Sequence, residues 1–148
     1  MNVYFDTSAI VKHFHVEEGT ERVSALIQNT DDEIWLSELA KLEFVSALLR
    51  KYREGTIDDK QLESAISGFE TDCAGFHVEP LGSVVTDEAE RLLQRYGKRE
   101  GLRTLDALHL AAFNLIADDS WLFVAADRTL CRTAMLEDHN VMNPIERE

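Results

Sequence analysis

Cysteine and positive charge are both scarce in this chain, and each scarcity excludes a class of protein. Only two cysteines occur among 148 residues. Cys73 and Cys131 stand alone, with no CxxC spacing and no ligand pairs beside them, which rules out a disulfide framework or a zinc ribbon and leaves both as packing residues. The seven glycines are scattered, and no Gly-rich phosphate loop of the Walker type occurs, so nucleoside-triphosphate chemistry has no support. No apolar run approaches the ~20 residues needed to span a bilayer, and Met1 to Asp6 lacks the basic start and long apolar region of a secretory signal. A cytoplasmic location without membrane contact is expected. Lysine and arginine number 15 against 28 acids, a net charge of −13 that argues against a broad nucleic-acid-binding surface.

What is present is an ordinary globular composition, 45% apolar, in one stretch without repeats, low-complexity tracts or linkers, so residues 1–148 are expected to form a single domain. Short apolar runs alternate with helical patterns, which predicts an α/β fold around a mostly parallel sheet. The first strand runs from Asn2 to Asp6 and is uniformly apolar before its terminal acid, as a strand covered on both faces should be. Thr7 or Ser8 is expected to cap a helix through Ala9 to Phe14. A second helix follows from Glu21 to Gln28, then a strand at Ile34 to Leu36. A long helix from Ser37 to Arg53 stops at Gly55. Asp58 caps the next, from Asp59 to Asp72, before a strand at Phe76 to Pro80. Thr86 precedes a helix ending at Tyr96, and Gly97 to Gly101 reads as a basic loop. Thr104 opens an apolar helix closed by Asp118 and Asp119. A strand from Trp121, a helix from Arg128 to Leu136, and an edge strand at Val141 and Met142 complete the order.

Four acids break this pattern. Asp6 and Asp127 each sit where an apolar strand stops, and if those strands are parallel neighbours the two carboxylates share the edge where α/β sheets place ligands. Glu43 lies in a helix that is apolar around most of its circumference, and such a helix is expected to be mostly buried. Asp106 is the only acid from Leu105 through Ala117. A buried lone carboxylate costs several kcal/mol, roughly, unless it is paired, protonated or coordinated.

Each acid has a plain structural role open to it. Asp6 and Asp127 suit helix capping, and Asp106 in a first turn complements the helix dipole. Arg50, two turns after Glu43, is a ready ion-pair partner for it. His109 reads as a hydrogen-bonded core residue. Together, however, the four make a set of hard oxygen donors without Cys or His partners, which is the chemistry Mg²⁺ prefers, and four converging carboxylates would repel one another unless a cation were present. Such an ion can activate water and stabilise charge on a phosphodiester. Ser8 can either cap a helix or donate a hydrogen bond to the Asp6 carboxylate. The basic clusters at Arg50, Lys51 and Arg53, at Lys98, Arg99 and Arg103, and at Arg128 and Arg132 suit a phosphate backbone or solvated helix faces.

Four blocks, Phe5-Asp6-Thr7-Ser8-Ala9-Ile10-Val11-Lys12, Ser37-Glu38-Leu39-Ala40-Lys41-Leu42-Glu43-Phe44-Val45-Ser46-Ala47-Leu48, Leu102-Arg103-Thr104-Leu105-Asp106-Ala107-Leu108-His109-Leu110-Ala111 and Val124-Ala125-Ala126-Asp127-Arg128-Thr129-Leu130, resemble in order the blocks of PIN-domain ribonucleases, and among them VapC-type toxins. The resemblance spans essentially the whole chain. It implies a three-layer α/β/α sandwich with a central parallel sheet and endonucleolytic cleavage of RNA dependent on Mg²⁺, or on Mn²⁺ in its place. Carried over, it makes Asp6, Glu43, Asp106 and Asp127 the catalytic and metal-binding quartet, with Asp6 and Asp106 as direct ligands and Thr7 and Ser8 as supporting polar residues. It also implies a homodimer and a small antitoxin whose basic segment enters the acidic cleft. A rival reading from another class keeps the fold as a binding module with little or no catalysis. A phospho-acceptor or phosphatase domain also sets acids at strand ends, but Asp6-Thr7-Ser8 lacks the second acid two residues on.

Overall fold

The computed structural model describes residues 1–146. Its elements alternate as the apolar pattern requires: β1 (Asn2–Phe5), α1 (Thr7–Phe14), α2 (Thr20–Gln28), β2 (Glu33–Ser37), α3 (Glu38–Arg53), α4 (Asp59–Cys73), β3 (His77–Glu79), α5 (Ser83–Tyr96), α6 (Thr104–Ile116), β4 (Leu122–Val124), α7 (Arg128–Leu136) and β5 (Asn140–Met142). The strands form one sheet in the order β3-β2-β1-β4-β5, and every pairing is parallel. Tyr4 lies opposite both Trp35 of β2 and Phe123 of β4, which fixes β1 at the centre.

Because side chains alternate along a strand, β1 feeds two cores. Val3 and Phe5 join Ile10, Val23, Phe44, Leu48 and Phe69 beneath α1 to α4. Tyr4 joins Leu92, Leu110, Phe113 and Leu130 on the opposite face, beneath α5, α6 and α7. The result is the expected three-layer α/β/α sandwich. From β1 the chain builds outward through β2 to β3 and then returns to add β4 and β5 on the other side. The order therefore reverses between β1 and β4, and the crevice at their carboxyl ends is the topological switch point of the sheet.

Local signals set most boundaries. Gly55, with φ of 75°, ends α3, while the Gly55 and Thr56 amides reach back to the Tyr52 and Lys51 carbonyls, which closes the helix in a left-handed turn that favours glycine. Asp58 and Gln61 exchange hydrogen bonds as a capping box at the start of α4. Cys131 is buried, Cys73 is half-buried, and both are free thiols. Among the described residues, no helix is long and apolar enough to cross a membrane.

Three expectations need correction. Asp6, and not Thr7 or Ser8, caps α1, because its carboxylate accepts from the Ala9 amide while the two hydroxyls lie within the first turn and bond elsewhere. Helix α5 begins at Ser83, ahead of Thr86, whose hydroxyl bonds back to the Ser83 carbonyl inside the first turn and so does not serve as a cap. Helix α3 is not buried around its circumference. It buries Leu39, Ala40, Phe44 and Leu48, whereas Leu42, Val45, Leu49 and Tyr52 are 72%, 36%, 40% and 40% exposed. Among the described residues, the layers cover one face of this helix only, and its second apolar stripe has no partner.

Helix α3 is anchored by aromatic packing. The Phe44 ring stacks on Phe69 of α4 at 3.9 Å and meets Phe14 of α1 edge-on at 5.5 Å. Replacing Phe44, which is fully buried, with alanine is expected to lower unfolding stability by about 3–5 kcal/mol, as measured by urea denaturation.

Candidate metal centre

Asp6, Glu43, Asp106 and Asp127 all line one cavity of about 660 Å³ at the carboxyl edge of the sheet, together with Thr7, Ser8 and His109. Each arrives by a different route. Asp6 follows β1 and caps α1. Asp127 follows β4 and caps α7, accepting from the Leu130 amide at 2.8 Å. Asp106 stands in the first turn of α6, and Glu43 in the second turn of α3. A cavity of similar size, about 670 Å³, lies near His13, Ile57 and Lys60, but its one carboxylate, Asp58, is spent in the α4 capping box. The chemistry concentrates at the sheet edge.

The supporting polar residues fix the acids firmly. The Ser8 hydroxyl lies 2.7 and 2.8 Å from the two Asp6 carboxylate oxygens and itself accepts from the Ala126 amide at 3.0 Å, which ties the β1 end to the β4 end. Thr7 Oγ1 donates to Glu43 Oε1 at 2.8 Å, and His109 Nε2 lies 2.5 Å from the same oxygen. His109 is 1% exposed, and its Nδ1 has no hydrogen-bond partner. The sequence reading of His109 as a hydrogen-bonded core residue holds. The pairing of Glu43 with Arg50 does not, because His109 and Thr7 occupy the carboxylate from the buried side.

Electrostatics distinguish the four. Asp6 is 3% exposed, and burial drives its carboxyl up to about 6 against the opposing pull of His109, the Ser8 hydroxyl and the Ala9 amide. Burial also raises Asp106, and the negative charge of Asp127 adds to the rise, with Arg103 and His109 opposing it. For Glu43 burial pushes upward too, but the His109 and Thr7 hydrogen bonds outweigh it and hold the carboxyl below its usual range. At Asp6 and Asp106 the protein's own offsets thus do not outweigh burial.

Among the described residues, no three metal-binding side chains are already gathered into a ligating cluster. The contacts explain this: Glu43 is turned onto His109, Asp127 and Asp6 are engaged as caps, and Arg103 lies 3.8 Å from Asp106. The structure brings the four acids to one cavity without closing them into a cage. The donor set is nonetheless all hard oxygen, and a cation held among these carboxylates would offset the burial that raises Asp6 and Asp106.

Sequence reasoning missed Glu17 altogether. It lines the same cavity and bridges two lysines, Lys12 at 3.2 Å and Lys51 at 3.3 Å. It lies in the connection between α1 and α2, outside any motif, and no local pattern marks it.

The raised Asp6 carboxyl has a thermodynamic consequence. The folded state holds that proton more tightly than the unfolded chain, so without metal the stability of the native protein falls as pH rises from about 4, the ordinary aspartate value, to about 6. Asparagine caps a helix as well as aspartate does and carries no charge. In EDTA, Asp6→Asn is expected to be more stable than the native protein by about 3 kcal/mol at pH 7 to 8, with the gain vanishing below pH 4; urea denaturation across pH measures the difference.

Comparisons with known proteins agree with this architecture. The family model for the PIN domain matches residues 3–136. The chain is similar to Ribonuclease VapC45 of Mycobacterium tuberculosis, 31% identical over 128 residues that cover 86% of this chain and 85% of that protein. In fold it is similar to FitAcB from Neisseria gonorrhoeae, with a TM-score of 0.71 at 18% identity over 98% of this chain and 99% of the other. It is also similar to a toxin–antitoxin complex from Klebsiella pneumoniae, with a TM-score of 0.64 at 15% identity over 98% and 99% of the two chains. With a family match over most of its length and a relative above 30% identity across most of both chains, this protein belongs to the PIN-domain family.

Proposed function

We propose that this PIN-domain protein is an endoribonuclease toxin of the VapC type that cuts RNA with the help of a divalent cation, Mg²⁺ or in its place Mn²⁺. One observation carries the reading: four carboxylates from four separate elements line a single cavity at the switch point, and burial keeps two of them raised against the pull of the nearby His109 and Arg103. The relative named a ribonuclease supports the substrate class.

Asp6 and Asp106 are the direct ligands in this account, with Glu43 and Asp127 completing the negative wall. A divalent ion held by these carboxylates would supply Lewis-acid stabilisation of the phosphate and lower the pKa of a water. The protein's own part is positioning. Ser8 holds both oxygens of Asp6, and Thr7 with His109 fixes Glu43. Asp127 uses Oδ1 for its cap, which leaves Oδ2 to accept a proton from the attacking water. Water adds to phosphorus, one ester P–O bond breaks, and the products are a phosphate monoester and a free hydroxyl.

The partner follows from a different surface. Leu42, Val45, Leu49 and Tyr52 recur at helical spacing along the exposed side of α3, and an amphipathic helix of an antitoxin is the occupant proposed for that stripe. A basic segment of the same antitoxin would suit a chain of net charge −13 and enter the acidic cavity. The solved toxin–antitoxin complex of similar fold supports such a partner. The toxin itself is proposed to be a homodimer, acting in the cytoplasm.

The assay is hydrolysis of single-stranded and structured RNA. Cleavage is expected with Mg²⁺, lost in EDTA, and reduced by about 10²-fold or more in Asp6→Asn or Asp106→Asn, the scale on which removal of one electrostatic stabiliser acts. EDTA-resistant cleavage that survives both substitutions would reject the mechanism. A folded protein that binds neither Mg²⁺ in calorimetry nor RNA would instead be the binding module. For the partner surface, Leu42→Ser with Leu49→Ser is expected to abolish co-purification with the antitoxin while leaving RNA cleavage in place.

A further inference from the structure

An acidic nuclease needs some place where RNA can approach, and the basic residues of this chain are not evenly spread. Of 15 lysines and arginines, Arg50, Lys51, Arg53 and Arg103 line the same cavity as the four acids. Their bonding divides them. Lys51 is held by Glu17 at 3.3 Å, and Arg103 lies beside Asp106. Elsewhere Arg91, Arg95, Arg128 and Arg132 are tied to Glu137, Glu146 or Glu100. Arg50 and Arg53 are exposed and form no ion pair among the described residues.

Their placement on α3 gives them a direction. Arg50 is seven residues after Glu43, on the same face of the helix and about 10 Å farther along its axis, and Arg53 lies about one turn beyond. The cavity is negative where the strands end and becomes positive along the last turns of α3. A hard cation belongs to the first part and a phosphate to the second.

Resting on the endoribonuclease reading above, we propose that Arg50 and Arg53 are positioning residues that bind successive phosphates of the single-stranded substrate next to the scissile bond, so that RNA runs from the carboxylate cluster along α3 toward its carboxyl end. This accounts for RNA binding by a chain of net charge −13: attraction is confined to one short edge instead of a broad surface. Lys51, engaged by Glu17, is assigned no phosphate. Basic residues in a last helical turn also complement the helix dipole. That role alone would alter stability and leave RNA recognition untouched, which makes the two separable.

The test is the salt dependence of kcat/KM on a fluorogenic single-stranded RNA at fixed Mg²⁺, with folding of each variant checked by its thermal midpoint. For Arg50→Gln/Arg53→Gln, KM is expected to rise about ten-fold with kcat within about two-fold, and the slope of log(kcat/KM) against log[salt] to become shallower by about 1.4, two phosphates at ~0.7 each on a single strand. Arg50→Lys/Arg53→Lys is expected to recover most of the slope, since a point charge suffices to displace counter-ions. Arg95→Gln, half that loss of charge at an arginine of α5 that lines a different cavity, is expected to keep the native slope. A native slope and KM in the double glutamine variant, or an equal effect of Arg95→Gln, would overturn the assignment. A native protein that cuts no RNA would overturn the endoribonuclease reading, and this inference with it, before any variant is compared.

Discussion

The partial burial of four carboxylates gathered at the carboxyl edge of the sheet is the constraint around which the rest of this molecule is arranged. Like charges brought together in a low-dielectric crevice are costly, and the protein meets that cost piecemeal. Asp6 and Asp127 take backbone amides as helix caps, Glu43 takes Thr7 and His109, and Asp106 has Arg103 within reach. The offset is incomplete at Asp6 and Asp106, whose carboxyls remain raised. A scaffold that only needed stability would be better served by neutral caps, so the retained charge points to a ligand that completes the balance.

The parallel sheet makes this concentration possible. With β1 central and the order reversing between β1 and β4, the ends of two strands open onto one crevice, and the helices that follow them start there. Helix α3 brings Glu43 from one layer and α6 brings Asp106 and His109 from the other. The aromatic contacts of Phe14, Phe44 and Phe69 hold α3 against α1 and α4. Packing on the buried face of α3 thereby sets where the Glu43 carboxylate can go, and the same helix carries basic residues onward from the site.

Much of this was legible in the residues. Uniformly apolar runs ending in Asp6 and Asp127 could be read as adjoining parallel strands, because strand burial and the switch-point rule both act through local sequence. The caps at Ser37 and Asp58 and the stop at Gly55 were legible for the same reason. Features that depend on which element lies opposite were not. Periodicity marks α3 as apolar but cannot say that one of its stripes lacks a partner among the described residues. Nor does spacing along α3 reveal that Glu43 faces a histidine 66 residues away instead of the arginine two turns along. Glu17 was invisible, since a loop carboxylate has no periodic context and its lysine bridge exists only once α1 and α3 are packed together.

The most direct test of the central claim is a crystal of this protein grown or soaked with Mn²⁺ and measured for anomalous scattering. The account predicts a peak bounded by the carboxylates of Asp6 and Asp106, with oxygen ligands at octahedral distances and retained waters. A map at saturating Mn²⁺ with no peak in that crevice, and Glu43 still seated on His109, would contradict it.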